Sequence, residues 1–561
     1  MNSRVNTLER KAAGDSSNRA AREQAFQAAG SVPIEATSRV SYRSQGRLLI
    51  IGEPDQALAI GGVLKDSLHC HVLAQGEGIT GAQGDFPVLF IGQGADVRIA
   101  GHLGDFAVIL VSKTRDDINL AQAIEADFTH FDLILDLGMP PLLNWEMPPL
   151  GYYAPRGDAA SLERMLAELP DMVGEFDKAK FFHYNPAICA HGNSGLQGCR
   201  RCLDVCPTGA ITSLIDKIAV DSYLCQGGGS CATACPSGAI IYSFPKPADT
   251  LNRLCVLLRT YREAGGSDPV LLVHDSEAGK SRLARLADPL PGHVIPIEVE
   301  EVGSIGMEVW LAALAYGASR LLILTTPQVP PSVLQEIKEQ MGFAHVLLEG
   351  MGYPASALSL SGSGTGQDLL ADLTEGAFMP PVKPASFAGG NAKRDTLFTA
   401  IDFLAAQALS LNIVLALPRQ APFGEIQVKR DACTLCMACV SVCPGAALFD
   451  GGDAPRLEFL EANCVQCGLC ELACPEDAIA RRSRFLFDPR QRRRRRVLHE
   501  EEAFHCIACG QPFATRSMIE KLTARLNGHW MFQDDAALKR LQMCGECRVR
   551  NMFGSDGGML T

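Results

Sequence analysis

The chain has 561 residues, a net charge of −12 and 21 cysteines. That length exceeds what one hydrophobic core usually spans, so three or more domains are expected, and 47% hydrophobic with 20% charged residues excludes a disordered chain. The acidic balance argues against nucleic-acid or anionic-membrane binding, and the apolar runs fall far short of the roughly 18 residues of a spanning helix.

In chain order, residues 1–46 mix Arg, Glu, Ser and Ala without an apolar stretch or an arginine pair, which reads as a flexible start of a cytoplasmic protein. Residues 47–167 alternate strand and helix patterns, with apolar runs at 48–51, 71–73, 88–91, 107–111 and 133–135, and form a small α/β domain. Its first turn, Gly52-Glu53-Pro54, lacks the glycine triplet of a dinucleotide site and sets an acid where a phosphate would lie. Residues 168–249 are a cysteine-rich, degenerate two-cluster module. Residues 250–358 carry strands at 270–273, 294–297 and 321–325 between helices, which fits a second small, flavodoxin-like α/β domain. The Ser/Gly-rich stretch from 359 to 366, with prolines 380, 381 and 384, makes 359–420 a linker ending in a lone helix at 393–411. A ferredoxin module occupies 421–488. Residues 489–561 form a linker, whose arginine run 492–496 reads as a solvated charge run covering an acidic partner or a neighbouring surface, and a four-cysteine tail.

All cysteines but Cys70 and Cys255 fall in groups with metal-ligand spacing, and those two read as small buried hydrophobes. In a reducing compartment thiols persist unless ligated, so metal explains the rest. Cys433, Cys436, Cys439 and Cys443-Pro444 give C-x2-C-x2-C-x3-C-P, repeated by Cys464, Cys467, Cys470 and Cys474-Pro475. This is the two-cluster bacterial ferredoxin pattern, in which the fourth cysteine of each run ligates the other cluster. Hence Cys433, Cys436, Cys439 and Cys474 are expected on one 4Fe-4S cluster, and Cys464, Cys467, Cys470 and Cys443 on the next.

The earlier region repeats the pattern imperfectly. Cys199, Cys202 and Cys206-Pro207 lack a partner three residues upstream, where Leu196 stands. Cys189, in a Gly-rich loop, is the expected substitute and His191 the weaker one. Cys225, Cys231 and Cys235-Pro236 keep register with Gly228 in the second ligand position. The crossing rule gives one 4Fe-4S cluster to Cys189, Cys199, Cys202 and Cys235. Three thiolates, Cys206, Cys225 and Cys231, remain for a 3Fe-4S or open 4Fe-4S cluster. Cys506, Cys509, Cys544 and Cys547 form two C-x2-C pairs that suit one tetrahedral Zn2+ in a zinc-ribbon-like tail, although mononuclear iron takes the same ligands.

The segment EVEEVGSIGMEVWLAALAYGASRLLILTT, starting at Glu298, resembles the small delta-subunit domain of methyl-viologen-reducing hydrogenases, without the cysteines usual there. The whole arrangement, with GYYAP at Gly151, GEFDKAKFF at Gly174 and the tail FHCIACGQPFAT, is similar to large bacterial four-cluster ferredoxin proteins. The first resemblance implies a docking role for the middle domain, and the second a molybdenum or tungsten formate dehydrogenase as partner.

The fold class expected is therefore multidomain α/β plus α+β, with two iron-sulfur modules. The sequence shows no Walker loop, Rossmann triplet or nucleophile with its base. An electron-relay subunit between a catalytic oxidoreductase and a redox partner fits best. The alternatives are a flavin oxidoreductase, with flavin held in the sheet of 270–350, and a redox sensor or cluster-delivery protein.

Overall fold

The run Leu48-Leu49-Ile50-Ile51 is apolar without alternation, the pattern of a strand buried on both faces. In the computed structural model, which describes all residues except 1, 77–80, 84–85, 93, 112–115, 126–127, 288, 363, 375–376, 453, 533 and 555–561, it lies inside a six-stranded sheet. The order is Tyr152–Tyr153, Leu133–Asp136, Arg47–Gly52, His69–Gln75, Phe86–Ile91 and Gly81–Gln83, parallel except at the last strand. Leu48 and Ile50 pack into one hydrophobic cluster, Leu49 and Ile51 into another on the opposite face.

The run 107–111 does not join this sheet. It pairs antiparallel with Asp96–Ala100 and Ile118–Asn119 in a sheet of its own, because a short connection closes a hairpin but cannot make a parallel crossover. Nor are residues 1–46 loose where they are described. A helix, Asn2–Gly30, presents Ala21, Ala25 and Ala29 at four-residue spacing to Pro247–Glu263, and the strand Arg39–Ser44 pairs with Gly174–Ala179. Small side chains on one face allow that helix to approach closely, so burial fixes a segment with little apolar bulk.

The middle domain is a four-stranded parallel sheet, ordered Val294–Val299, Val270–Asp275, Arg320–Leu324 and Leu358–Ser361. The expected linker thus begins as its fourth strand and continues as a helix, Gly366–Thr374, with Leu369 and Leu373 fully buried. Ser361 Oγ donates to Asp372 Oδ2 at 2.6 Å, tying strand to helix despite the Ser/Gly content. The lone helix runs Lys393–Ala405 and docks on the fully buried helix Met307–Ala315.

The second iron-sulfur module hangs on Gly424–Val428 paired with Ile479–Leu486. The arginine run covers a neighbouring acidic surface of the same chain. Arg492 is 2% exposed, donates to Asp402 at 2.6 Å and lies over the rings of Phe398 and Phe485, while Arg496 pairs with Glu425 and Glu461. The acids that neutralise it belong to the same chain. Among the described residues no helix is long and apolar enough to cross a membrane.

Candidate iron-sulfur sites

A C-x2-C-x2-C loop must turn three times around one centre, which requires backbone in the left-handed region. In the second module Leu435 and Met437 (φ 54° and 60°) and Gln466 and Gly468 (φ 57° and 91°) take it, two and four residues after the first cysteine of each run. Ala446 and Asp477, three residues after the fourth cysteines, do so as well. These loops enclose two cavities. One is lined by Cys433, Cys436, Cys439 and Cys474 and the other by Cys443, Cys464, Cys467 and Cys470, with about 310 and 380 Å³ of space not filled by atoms. Each cavity therefore takes three sulfurs from its own run and one from the other. Ala447 N and Ala478 N donate to Cys443 Sγ and Cys474 Sγ, both at 3.3 Å, at equivalent places in the repeat.

The first module has the same backbone in half of its length. Gly227 and Gly229 (φ 83° and 76°) stand two and four residues after Cys225, and Gly209 and Gly238 stand three after Cys206 and Cys235. The Cys189 loop departs from it. A tight hairpin, Gly192–Asn193 with Leu196–Gln197, folds back so that Cys199 N donates to Ala190 O at 2.8 Å, bringing Cys189 alongside. Cys189, Cys199, Cys202 and Cys235 then line one cavity, like the two in the second module. His191 is not available as a donor. Its Nδ1 engages Cys199 O at 2.8 Å and its Nε2 engages Ser213 Oγ at 2.7 Å, so both ring nitrogens are occupied.

Cys206, Cys225 and Cys231 share one hydrophobic cluster with Cys189, Cys202 and Cys235, and are close enough to one another to interact electrostatically. Gly228 stands between the two left-handed glycines, and a Cβ there would lie 3.3 Å from Pro207 Cγ, 3.6 Å from Met147 Sδ and 3.7 Å from Val333 Cγ2. Met147 arrives on a loop of the first domain, held by Met147 N donating to Pro207 O at 3.1 Å. On the other side Lys178 Nζ donates to Cys225 O at 2.8 Å; burial pulls its pKa down to about 8, against the opposing influence of Cys225 and Asp221.

Burial pushes three of the cysteine thiols up, to about 11 for Cys199 and Cys467 and about 12 for Cys439. Such groups stay protonated unless a metal replaces the proton, so cluster binding releases protons into solvent. The two modules meet at these loops. Gly198 lies so close to Leu469 that a Cβ would stand 2.7 Å from Leu469 Cγ, and Cys199 and Cys467 line the same groove. Arg394, half-buried between them, donates to Pro236 O at 3.4 Å, Pro422 O at 3.1 Å, Ala462 O at 3.0 Å and Cys464 O at 2.9 Å. Arg394, Lys178 and Met147 escaped the sequence reading, since nothing local marks a residue whose partners are remote carbonyls.

In the tail the Sγ atoms of Cys506, Cys509, Cys544 and Cys547 all lie within 4.8 Å of one another. A tetrahedral ion with metal–sulfur bonds of about 2.3 Å places its sulfurs roughly 3.8 Å apart, and Cys509 Sγ and Cys544 Sγ are 3.7 Å apart. Burial works against ionising Cys506, but N–H groups of Cys544, Cys509 and Ala508 pull it down to about 6. The tail sits on the second module, with Thr515 Oγ1 donating to Thr434 O at 3.0 Å and Lys521 Nζ to Ala432 O at 2.6 Å.

Three cavities with four cysteines each, in crossed pairs within the second module, define ferredoxin-type iron-sulfur domains. Comparison with known families agrees, matching "4Fe-4S dicluster domain" at residues 197–239 and "4Fe-4S binding domain" at 426–449 and 457–480. Among curated proteins the chain is similar to "Ferredoxin-1" of Caulobacter vibrioides, 44% identical over 57 residues, covering 9% of this chain and 46% of that protein. It is also 42% identical over 57 residues to "Archaeal-type glutamate synthase [NADPH]" of Thermotoga maritima, covering 10% of this chain and 11% of that one. The chain thus spans less than half the length of either relative. The matched segments are ferredoxin-type domains that support several 4Fe-4S clusters.

Proposed function

We propose that the chain is a relay subunit that carries electrons along four clusters between a catalytic oxidoreductase and a redox partner. Its order runs from Cys206, Cys225 and Cys231, through Cys189, Cys199, Cys202 and Cys235, to Cys443, Cys464, Cys467 and Cys470, and ends at Cys433, Cys436, Cys439 and Cys474. Contact between the modules carries the reading: Gly198 against Leu469, with Arg394 bonded to both sides, closes the gap between the second and third groups. Without it the chain would hold two separate ferredoxins. The clusters supply one-electron storage; the protein fixes their spacing, buries the inner cysteines and sets N–H donors on sulfur, which tunes potential.

In this reading the group at Cys206 is a 3Fe-4S cluster in preference to an open cube, and the tail holds a structural Zn2+. The four-stranded parallel domain, flavodoxin-like in its strand order and hydrogenase-delta-like in its sequence, acts as scaffold and docking surface. The partner proposed from the family resemblance is a molybdenum or tungsten formate dehydrogenase. Anaerobic affinity capture with mass spectrometry tests this reading. A molybdenum or tungsten enzyme among the captured proteins supports it. A protein with only about eight irons per chain, the content of two cubes, sinks the four-cluster relay.

A further inference from the structure

We infer that a cavity beside the Cys206, Cys225 and Cys231 group binds a flavin by its isoalloxazine ring, giving the relay a point where single electrons become pairs. The inference rests on the relay reading and adds a site to it. The cavity measures about 570 Å³, within the roughly 300–1,000 Å³ of small-molecule sites. It opens at the carboxyl ends of Val270–Asp275 and Val294–Val299, where His274, Ser276, Glu298 and Glu300 reach it. Sheets of parallel strands characteristically bind ligands at that edge.

Two buried polar atoms in its wall have no hydrogen-bond partner. They are Tyr242 Oη and Glu308 Oε2, on side chains 5% and 6% exposed. The ammonium opposite Glu308, on Lys393, stands 3.8 Å off and is itself spent on Ala232 O and Thr233 O. Buried groups of this kind are normally satisfied, so they imply an occupant with both donors and acceptors on its edge. An isoalloxazine has them: its imide N–H suits the Glu308 carboxylate and its carbonyls suit the Tyr242 hydroxyl. Its flat apolar body suits walls made by Phe244, Ile297 and Val309. Glu298 and Glu300 on the rim repel a pyrophosphate, which disfavours a dinucleotide and leaves riboflavin or FMN.

The cavity shares its wall with the cysteine group. Tyr242 packs with Phe181, Ala232 and Cys225, and Thr233 Oγ1 donates to Gly303 O at 2.8 Å. Gly229, in the 225–231 loop, is so close to the cavity residue Ser304 that a Cβ would meet Ser304 Cα at 2.4 Å. Two electrons delivered singly from the clusters, with two protons from solvent, convert oxidised flavin to hydroquinone while each donating cluster returns to its oxidised state. The reverse sequence releases two single electrons into the relay.

The test uses full-length protein loaded with clusters, titrated anaerobically with riboflavin and with FMN by fluorescence and equilibrium dialysis. One-to-one saturable binding below about 100 µM is expected for at least one flavin. Equal affinities place the phosphate in solvent; tighter FMN binding by tenfold or more assigns it to Arg253. Ile297→Trp, which intrudes on the cavity where the flat ring would lie, and Tyr242→Phe, which removes one hydrogen bond, should each weaken binding about tenfold or more with iron content unchanged. Absence of saturable binding by either flavin to protein whose clusters are complete and reducible overturns the site but not the relay. Unaltered binding by both variants overturns it too. A shortfall in iron instead strikes the relay.

Discussion

Replacing Gly228 with cysteine should turn a three-iron cluster into a four-iron one at almost no structural cost. The backbone at 228 is outside the left-handed region, unlike its neighbours Gly227 and Gly229, so a side chain adds no strain there. The closest approach of the new Cβ, 3.3 Å to Pro207 Cγ, asks a few tenths of an ångström of a proline ring. That cost, and the unfolded-state entropy removed by replacing glycine, are each about 1 kcal/mol or less and opposite in sign, so stability should change by under about 1 kcal/mol. Iron analysis cannot decide the matter, because three cubes and a three-iron cluster hold about 15 irons against about 16. Electron paramagnetic resonance can. The oxidised parent should show a near-isotropic signal just above g of about 2, integrating to about one spin per chain, and Gly228→Cys should remove most of it. Gly227→Cys and Gly229→Cys should not, since their Cβ positions meet the Phe181 ring at 3.0 Å and Ser304 Cα at 2.4 Å in a left-handed backbone. Four bound clusters with no such signal in the parent would refute the three-iron assignment. Met147, whose Sδ is 3.6 Å from the missing Cβ, is then the donor to replace with leucine.

Cys506→Ser or Cys544→Ser should lower the melting temperature while leaving the cluster spectra unchanged, because a short tail folds with its metal; loss of a rubredoxin-like absorption band in these variants would show iron there instead of zinc. Arg394→Met strips donors from carbonyls on both modules and should cost about 3–5 kcal/mol, seen as a melting shift of several degrees; a shift under about 2 °C would deny Arg394 its bridging role. Burial, with Asp275, Glu277 and Glu300 close by, raises the Glu301 pKa from 4.5 to about 7, so the folded state keeps a proton there that the unfolded state loses. Stability from this group accordingly falls as pH rises from about 4.5 to 7 and levels above, by up to about 2 kcal/mol after solvent screening; Glu301→Gln should lack that part of the slope in urea melts from pH 5.5 to 8.

What the sequence made legible was whatever repeats locally. Cysteine spacing implied crossed pairs because a cube needs four corners and a tight loop reaches only three, and the two cavities of the second module are lined in that crossed way. Gly228 was visible as the second position of a ferredoxin run. The structure adds that Gly227 and Gly229 copy the backbone of Gln466 and Gly468, so the loop kept its shape while losing a sulfur. Long-range facts were not legible. Nothing near His191 in the sequence announces Ser213, and nothing in the arginine run announces Asp402, ninety positions away. The alanines at 21, 25 and 29 do form a stripe, but small apolar residues also suit an exposed helix, and only the partner helix decides. The strand at 107–111 misled because composition fixes a strand without fixing its neighbour.

The same contrast bears on how the relay is built. Each ferredoxin module is specified by contiguous sequence, but the junction between them depends on packing from distant segments. Gly198 comes from the first module, Leu469 from the second and Arg394 from the helix between. The middle domain buries that helix against Met307–Ala315, so a large apolar core holds two small cluster-bearing units in fixed register. A ferredoxin module alone has little apolar area to spare for docking. Cys202, Cys235, Cys464 and Cys470 are buried, whereas Cys436 is exposed on the loop whose Thr434 and Ala432 carbonyls accept hydrogen bonds from the tail segment. In the proposed relay, exchange with a partner would fall at that exposed loop while the inner cysteines stay insulated. In that proposed relay the non-cluster domains, well over half of the chain, are the frame that would make two modules a single path.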